Sequence, residues 1–240
     1  AKHTILNILT RYCVFTTDRL LLVMRPYQIV ATERILNRIE VSTNYKKLGT
    51  VEAGGYIWHT TGSGKTLTSF KTAQLVSKLI DVEKVVFVVD RKDLDYQTMR
   101  EYDKFEKGAA NSNTSTAILS KQLSDPNARI IVTTIQKLGL ALDEDSRRNQ
   151  EKKKKGELTF KERLEKLRDK RMAIIFDECH RSQFGDNHDA IKTFFPKAQL
   201  FGFTGTPIFE KNSTYKKIDG TVGSYRTTED VFQQELHAYS

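Results

Sequence analysis

The chain has 240 residues, and a hydrophobic content of 38% is enough to bury the core of one substantial domain but too little for two full-sized ones. A formal net charge of +9 favours a polyanionic partner such as nucleic acid, although a basic domain without such a partner can have the same net charge. Cys13 and Cys179 are too few for a disulfide framework or a metal cluster, and no apolar run is long enough to cross a bilayer. We therefore expect a cytoplasmic protein without membrane association.

Strand and helix patterns alternate from residue 25 onwards. Five short apolar runs rich in β-branched residues predict strands that are buried on both faces, at residues 55–59, 85–89, 130–133, 173–177 and 200–204. Helical patterns lie before and between them, at residues 25–39, 65–79 and 93–105. This alternation predicts an α/β fold with a doubly wound, mostly parallel sheet over residues 25–240, and residues 1–24 are expected to form an edge segment.

Two polar segments interrupt the pattern. Residues 108–116 are small and polar, which predicts a mobile loop. Residues 142–171 form a charge-dense insertion whose most basic run, residues 151–155, is either a solvated face or a contact to DNA. Within it, Thr159 and Glu162 have the spacing of a capping box, which predicts a surface helix of about three turns. Its apolar positions are Phe160, Leu164 and Leu167.

The segment Thr61-Gly62-Ser63-Gly64-Lys65-Thr66 follows the first predicted strand and opens a helix. Glycines let the backbone curl so that successive N–H groups point at a phosphate, and the helix N-terminus adds partial positive charge. Lys65 can reach the β- and γ-phosphates of ATP, and the Thr66 hydroxyl can bind Mg²⁺. The general pattern has glycine where this chain has His59, which we expect to pack beneath the loop. The segment predicts a phosphate-binding loop for ATP.

The segment Asp177-Glu178-Cys179-His180 places two carboxylates at the end of a predicted buried strand. In open α/β sheets the carboxyl ends of the strands are where ligands bind. Asp177 is suited to hold Mg²⁺ through water, and Glu178 to orient and deprotonate an attacking water. An acidic pair alone is often a helix cap, but together with the phosphate loop it predicts ATP hydrolysis. Cys179 is interpreted as a space-filling residue.

These motifs resemble those of superfamily 2 helicases and translocases. Arg25-Pro26-Tyr27-Gln28 resembles the adenine-sensing segment of that superfamily, with Gln28 as the base reader, and Thr204-Gly205-Thr206-Pro207 resembles a further motif. Longer strings narrow the resemblance to the motor (R) subunit of type I restriction endonucleases over roughly residues 25–239. The strings are residues 54–71, 87–98, 176–185 and 201–209.

The resemblance implies the first RecA-like lobe of a subunit that uses ATP and Mg²⁺ to pump double-stranded DNA and then cleaves it. It also implies methylation and specificity subunits as partners. Residues 1–24 would then continue from an upstream nuclease domain, and a second lobe after residue 240 would supply an arginine that completes the ATP site. An RNA helicase lobe of the same superfamily and a non-catalytic ATP-dependent clamp are the alternatives.

The resemblance further implies roles for residues outside the phosphate loop and the acidic pair. His180 would couple the ATP site to Thr204 and Thr206, although a structural hydrogen bond of His180 is an equally open interpretation. Hydroxyl, amide and basic side chains just after strands suit contacts with DNA phosphates. The residues in such positions are Arg91, Lys92, Thr134 and Gln136.

Overall fold

The computed structural model describes residues 2–89, 92–105, 111, 113–182, 186–216 and 222–239. Their helices are α1 (Lys2–Arg11), α2 (Pro26–Asn44), α3 (Lys65–Val76), α4 (Lys92–Phe105), α5 (Thr116–Ser124), α6 (Ile135–Leu142), α7 (Arg147–Lys154), α8 (Phe160–Leu164), α9 (Cys179–Ser182), α10 (Asp186–Phe194) and α11 (Thr228–Phe232). Their strands are β1 (Cys13–Phe15), β2 (Leu21–Val23), β3 (Gly55–His59), β4 (Lys84–Val89), β5 (Ile130–Thr134), β6 (Met172–Asp177), β7 (Gln199–Thr204), β8 (Thr214–Lys216), β9 (Val222–Ser224) and β10 (Glu235–Tyr239).

The centre of the fold is a six-stranded sheet in the order β10-β3-β7-β6-β4-β5. Every pair of neighbouring strands in it is parallel. Its strands β3 to β7 occupy the five predicted apolar runs, and α2, α3 and α4 occupy the predicted helices. The predicted doubly wound α/β fold is confirmed. Because the strands are parallel, all their carboxyl ends lie at one edge of the sheet.

Alternating side chains along each central strand build a core on each face of the sheet. In β4, Val85 and Phe87 pack in one cluster with α2 and α3, whereas Val86 and Val88 pack in the other with α6 and α10. Side chains of successive strand residues point to opposite faces, so a continuous apolar run fills both cores. Phe70 on α3 is fully buried, and burial of a side chain of this size contributes about 2–3 kcal/mol. This packing on both faces holds the central strands in place, and with them the edge of the sheet at which the phosphate loop and the acidic pair lie.

Residues 113–115 form a loop, as predicted, and hydrogen bonds hold it against the neighbouring strand and helix. Asn113 is only 3% exposed, because its amide nitrogen donates to the Val132 carbonyl at 3.0 Å and its amide oxygen accepts from Thr133 Oγ1 at 2.8 Å. Ser115 caps α5 by accepting from the backbone N–H of Ile118. The small polar residues thus bond to the edge strand β5 and start a helix. Residues 108–110 and 112 lie outside the described residues.

The charged insertion differs in part from its prediction. The capping box is confirmed, since Thr159 Oγ1 accepts from Glu162 N at 3.1 Å and Glu162 Oε2 accepts from Thr159 N at 2.7 Å. The helix is shorter than three turns, because α8 ends at Leu164 and only a 3-10 turn, Glu165–Leu167, follows. It is a surface helix, as predicted, because Glu162 and Arg163 are exposed while Phe160, Leu164 and Leu167 on its other face are buried in the core. Helix α7 was not predicted.

The two ends of the chain each add an element that the sequence pattern did not predict. Helix α1 and a two-stranded antiparallel sheet, β1 with β2, lie within residues 1–24, outside the six-stranded sheet. Strand β10 extends the six-stranded sheet at the edge next to β3. Among the described helices, none has the length and apolar character needed to cross a membrane.

Candidate nucleotide-binding site

The phosphate loop joins the end of β3 at His59 to the start of α3 at Lys65. Gly62 and Gly64 adopt left-handed conformations with φ of 84° and 75°, which side chains rarely tolerate. No side chain caps the N-terminus of α3, so its first N–H groups remain available to an anion. The Ser63 hydroxyl is buried and has no hydrogen-bond partner among the described residues. A curled loop with uncapped donors fits a nucleotide phosphate.

The Lys65 ammonium lies at the base of this loop. Its Nζ donates to the His59 carbonyl at 3.2 Å and lies 3.7 Å from Glu178 Oε1. The backbone of Gly205 lies close above it, since a Cβ at that position would be 3.4 Å from Lys65 Nζ. Lys65 is therefore held between the phosphate loop, the acidic pair and the Thr204-Gly205-Thr206 segment.

The acidic pair ends β6 beside Lys65. Burial, followed by the nearby charge of Glu178, raises the pKa of Asp177 to about 6. Its carboxylate accepts a hydrogen bond from the Glu178 N–H at 3.0 Å. Glu178 has a φ of 45°, a left-handed conformation that costs a residue with a side chain about 1–2 kcal/mol. Backbone strain held at this position supports a functional role for Glu178.

A chain of contacts leads from Lys65 to the Thr204-Gly205-Thr206 segment. Glu178 Oε2 lies 3.4 Å from His180 Nδ1, and the same nitrogen lies 2.9 Å from Thr204 Oγ1. Thr204 Oγ1 also accepts from the Thr206 N–H at 3.0 Å. The structure thus brings the predicted coupling residues together with the acidic pair, and their coupling role stays a prediction.

Gln28 is buried against the phosphate loop. Its Nε2 donates to the carbonyls of Ser63 and Gly64, each at 3.2 Å, and its Oε1 accepts from the Arg25 N–H at 2.8 Å. A contact between Gln28 and adenine stays a prediction. Tyr27 also reaches the loop, because its hydroxyl donates to the Ser63 carbonyl at 2.7 Å.

His59 packs beneath the loop, as predicted, and is joined to the unpredicted strand β10. It is fully buried, which lowers its pKa to about 4, so the ring is neutral at pH 7. Its Nε2 lies 2.9 Å from His237 Nδ1. The Tyr239 carbonyl accepts from the Thr60 N–H at 3.1 Å, and the Tyr239 ring stacks on Tyr27 at 3.7 Å. Strand β10 therefore supports the phosphate loop through its contacts with His59, Thr60 and Tyr27.

Substitution of His237 should destabilise the fold because it removes the partner of a buried ring nitrogen. We expect His237→Ala to lower the free energy of unfolding by about 1–3 kcal/mol, measured by urea denaturation. His3→Ala, in an exposed position on α1, is the matched control and should change stability by less than about 0.5 kcal/mol. Equal stability of the His237→Ala variant and the wild type would contradict the structural role of this pair.

The predicted DNA-contact residues have different environments. Thr134 is fully buried, and its hydroxyl accepts from the Lys137 N–H as the cap of α6, so direct contact of this hydroxyl with DNA is contradicted in this conformation. Gln136 is exposed in the first turn of α6 and stays a candidate. Arg91 lies outside the described residues, and Lys92 begins α4 with a side chain that also lies outside them.

A phosphate loop after β3 and an acidic pair after β6 of a parallel sheet define a RecA-like nucleotide-binding lobe. Residues 27–240 match the model of the SWI2/SNF2 ATPase family. The chain is 43% identical over 236 residues to the type I restriction enzyme SsaAORF53P endonuclease subunit of Staphylococcus saprophyticus, covering 98% of this chain and 22% of that relative. It is 47% identical over 197 residues to the C-terminal part of the putative MpnIIP endonuclease subunit of Mycoplasma pneumoniae, covering 81% and 89%.

This chain belongs to the SWI2/SNF2 ATPase family, among the endonuclease subunits of type I restriction enzymes. It spans about a fifth of the length of its staphylococcal relatives. Solved structures at 18% identity share the fold. The DNA-bound type ISP restriction-modification enzyme LlaBIII gives a TM-score of 0.55 over 94% of this chain and 16% of that one. The SWI2/SNF2 ATPase core of Sulfolobus solfataricus in complex with double-stranded DNA gives 0.51 over 83% and 34%.

Proposed function

We propose that this chain is the first motor lobe of a type I restriction enzyme subunit and couples ATP hydrolysis to translocation of double-stranded DNA. The observation that carries the proposal is the contact chain from Lys65 through Glu178 and His180 to Thr204. This chain of contacts joins Lys65, whose ammonium group would hold the γ-phosphate, to Thr204 on the neighbouring strand β7. In the whole subunit, with methylation and specificity subunits, translocation would lead to DNA cleavage.

The chemistry follows from the side chains at the sheet edge. The loop N–H groups would hold the β-phosphate, and Lys65 would exchange its bond to the His59 carbonyl for the β- and γ-phosphates. Thr66 and Asp177 would hold Mg²⁺, which neutralises phosphate charge when bound. Glu178 would accept a proton from the attacking water. His180 would carry the change at Glu178 to Thr204.

The proposal assigns different functions to different segments of a longer chain. Residues 1–24 would continue from an upstream nuclease domain, and residues 25–240 would form the ATPase lobe. A second lobe would add an arginine to the site, and such an arginine contributes roughly 10³-fold or more to the rate. The 240-residue chain alone is therefore expected to turn over ATP slowly.

The test compares ATP turnover by the full-length subunit with no nucleic acid, with duplex DNA and with RNA. We expect duplex DNA alone to stimulate turnover, Lys65→Ala to abolish it, and the isolated chain to stay slow under all three conditions. Movement is checked by ATP-dependent displacement of a third strand from a DNA triplex. Stimulation by RNA alone would favour the RNA helicase alternative, and ATP binding without turnover would favour the clamp.

A further inference from the structure

The carboxyl end of β10 contacts two separate parts of the candidate nucleotide-binding site, the phosphate loop and the segment that carries Gln28. The Tyr239 carbonyl accepts from the Thr60 N–H at 3.1 Å, and the Tyr239 ring stacks on Tyr27 with centroids 3.7 Å apart and planes 8° apart. We propose that Tyr239 is a positioning residue for ATP, which acts through Tyr27 and Thr60 to hold the site in the conformation that binds the nucleotide. This inference rests on the proposed function and deepens it.

Tyr27 joins Tyr239 to the phosphate loop. Its hydroxyl donates to the Ser63 carbonyl at 2.7 Å, and its ring makes an edge contact with His59 at 5.4 Å between centroids. The next residue, Gln28, donates to the same Ser63 carbonyl at 3.2 Å. The stack on Tyr239 restricts the Tyr27 ring and therefore the direction of its hydroxyl. One pair of tyrosines thus connects β10, the start of α2 and the phosphate loop.

The phosphate loop is costly to hold in one conformation. Gly62 and Gly64 both have positive φ angles, and a Cβ at Gly62 would meet no atom within 4 Å. Glycine loses more conformational freedom on folding than any other residue, so a loop with two glycines gains from bonds to its neighbours. Tyr27 and Gln28 supply such bonds to the loop carbonyls, and Tyr239 holds the segment from which they come.

Burial in the core does not account for Tyr239. Its side chain is 39% exposed, whereas Leu236 of the same strand is buried and anchors β10 in the core. In the parallel pairing of β10 with β3, Tyr239 lies opposite His59, the last residue before the phosphate loop. The exposed ring therefore stands where the loop begins, and its main contacts are with the candidate site.

A support of this kind changes how tightly ATP binds rather than how fast bound ATP reacts. If only a fraction of the molecules holds the binding conformation, the apparent Kd rises by the reciprocal of that fraction. Bound phosphates would themselves order the loop N–H groups. Lys65 and Glu178, which are assigned to hydrolysis, are held by each other and by the His59 carbonyl. Loss of the tyrosine stack should therefore weaken ATP binding and leave hydrolysis of bound ATP intact.

The test uses the full-length subunit with Mg²⁺ and a non-hydrolysable ATP analogue, whose Kd is measured by calorimetry. We expect Tyr239→Ala to raise this Kd about three- to tenfold, the range that corresponds to one lost aromatic pair. The single-turnover rate at saturating ATP should stay within about twofold of the wild type. Tyr239→Phe keeps the stacked ring and the main-chain carbonyl, so it should restore the wild-type Kd.

Tyr27→Phe tests the same path with a smaller change. It keeps the stack on Tyr239 and removes only the hydrogen bond to the Ser63 carbonyl, so the fold should be preserved. We expect it to raise the Kd about two- to tenfold, the usual range for one hydrogen bond. Tyr45→Ala is the matched control, because this exposed tyrosine follows the opposite end of α2. Its Kd should equal that of the wild type.

Three results would overturn this inference alone: a Kd of Tyr239→Ala or of Tyr27→Phe equal to that of Tyr45→Ala, a Kd of Tyr239→Phe as high as that of Tyr239→Ala, or a slower single turnover of Tyr239→Ala at saturating ATP. The last would place Tyr239 in the hydrolysis step. A wild-type subunit that does not bind the analogue would overturn the proposed function as well, so the two failures are distinguishable.

Discussion

A Glu178→Gln subunit will bind ATP but turn it over about 10²- to 10⁴-fold more slowly than the wild type, the usual contribution of a general base. Gln has nearly the same shape as Glu and cannot accept the proton of the attacking water. Its backbone preferences are also similar, so the left-handed conformation at this position is not the variable under test. Single-turnover kinetics with radiolabelled ATP separate binding from hydrolysis.

The matched control for this substitution is Glu52→Gln. Glu52 also pairs with a lysine, Lys47, but lies on the surface away from the phosphate loop. Its substitution should leave both ATP affinity and turnover unchanged. If Glu178→Gln hydrolyses ATP at the wild-type rate, Glu178 is not the base. Loss of ATP affinity as well would mean that its ion pair with Lys65 positions the loop.

The central sheet and the acidic pair could be predicted because their signals are local in sequence. A strand buried on both faces needs a continuous apolar run, as at residues 85–89, and the phosphate loop needs glycines next to Lys65 and Thr66. The space-filling interpretation of Cys179 also agrees with the structure, where this side chain is fully buried and its sulfur would lie 2.7 Å from a Cβ at Gly202.

The features that were missed depend on distant contacts. Strand β10 carries His237 and Tyr239, and only their pairing with β3 and the phosphate loop shows why polar and aromatic residues belong there. From the sequence alone, the Thr134 hydroxyl could equally contact a phosphate or cap a helix. Because α6 starts directly after Thr134, the hydroxyl caps that helix. Helix α7 is short and highly polar, so it has no apolar period from which it could be predicted.

Asp177→Asn should make the 240-residue chain more stable at pH 7, by about 1–3 kcal/mol in the free energy of unfolding. Burial and the charge of Glu178 raise the pKa of Asp177 to about 6 from an ordinary value of 3.8, which shows that the folded state disfavours the charged carboxylate. This difference corresponds to at most about 3 kcal/mol, and Asn removes the charge.

The gain in the free energy of unfolding that Asp177→Asn gives should decrease as the pH falls. Between about pH 6 and pH 4 the folded Asp177 binds a proton more readily than the unfolded one, so acid stabilises the wild type relative to Asn. Urea denaturation should show the gain at pH 7 shrinking through this range and vanishing below pH 4. Asp189→Asn is the control of opposite sign, because the hydrogen bond and charge of Arg226 lower the pKa of Asp189.

A stability gain for Asp177→Asn that is independent of pH, or no gain at pH 7, would show that the carboxylate is not desolvated as the structure implies. The expected gain in stability, combined with lost turnover in the full-length subunit, has a simple physical explanation. A carboxylate that is costly without a cation becomes favourable when Mg²⁺ is bound. A site whose carboxylate is positioned for a cation is therefore least stable when the cation is absent. Removing the charge of Asp177 should raise the stability of the fold and abolish turnover.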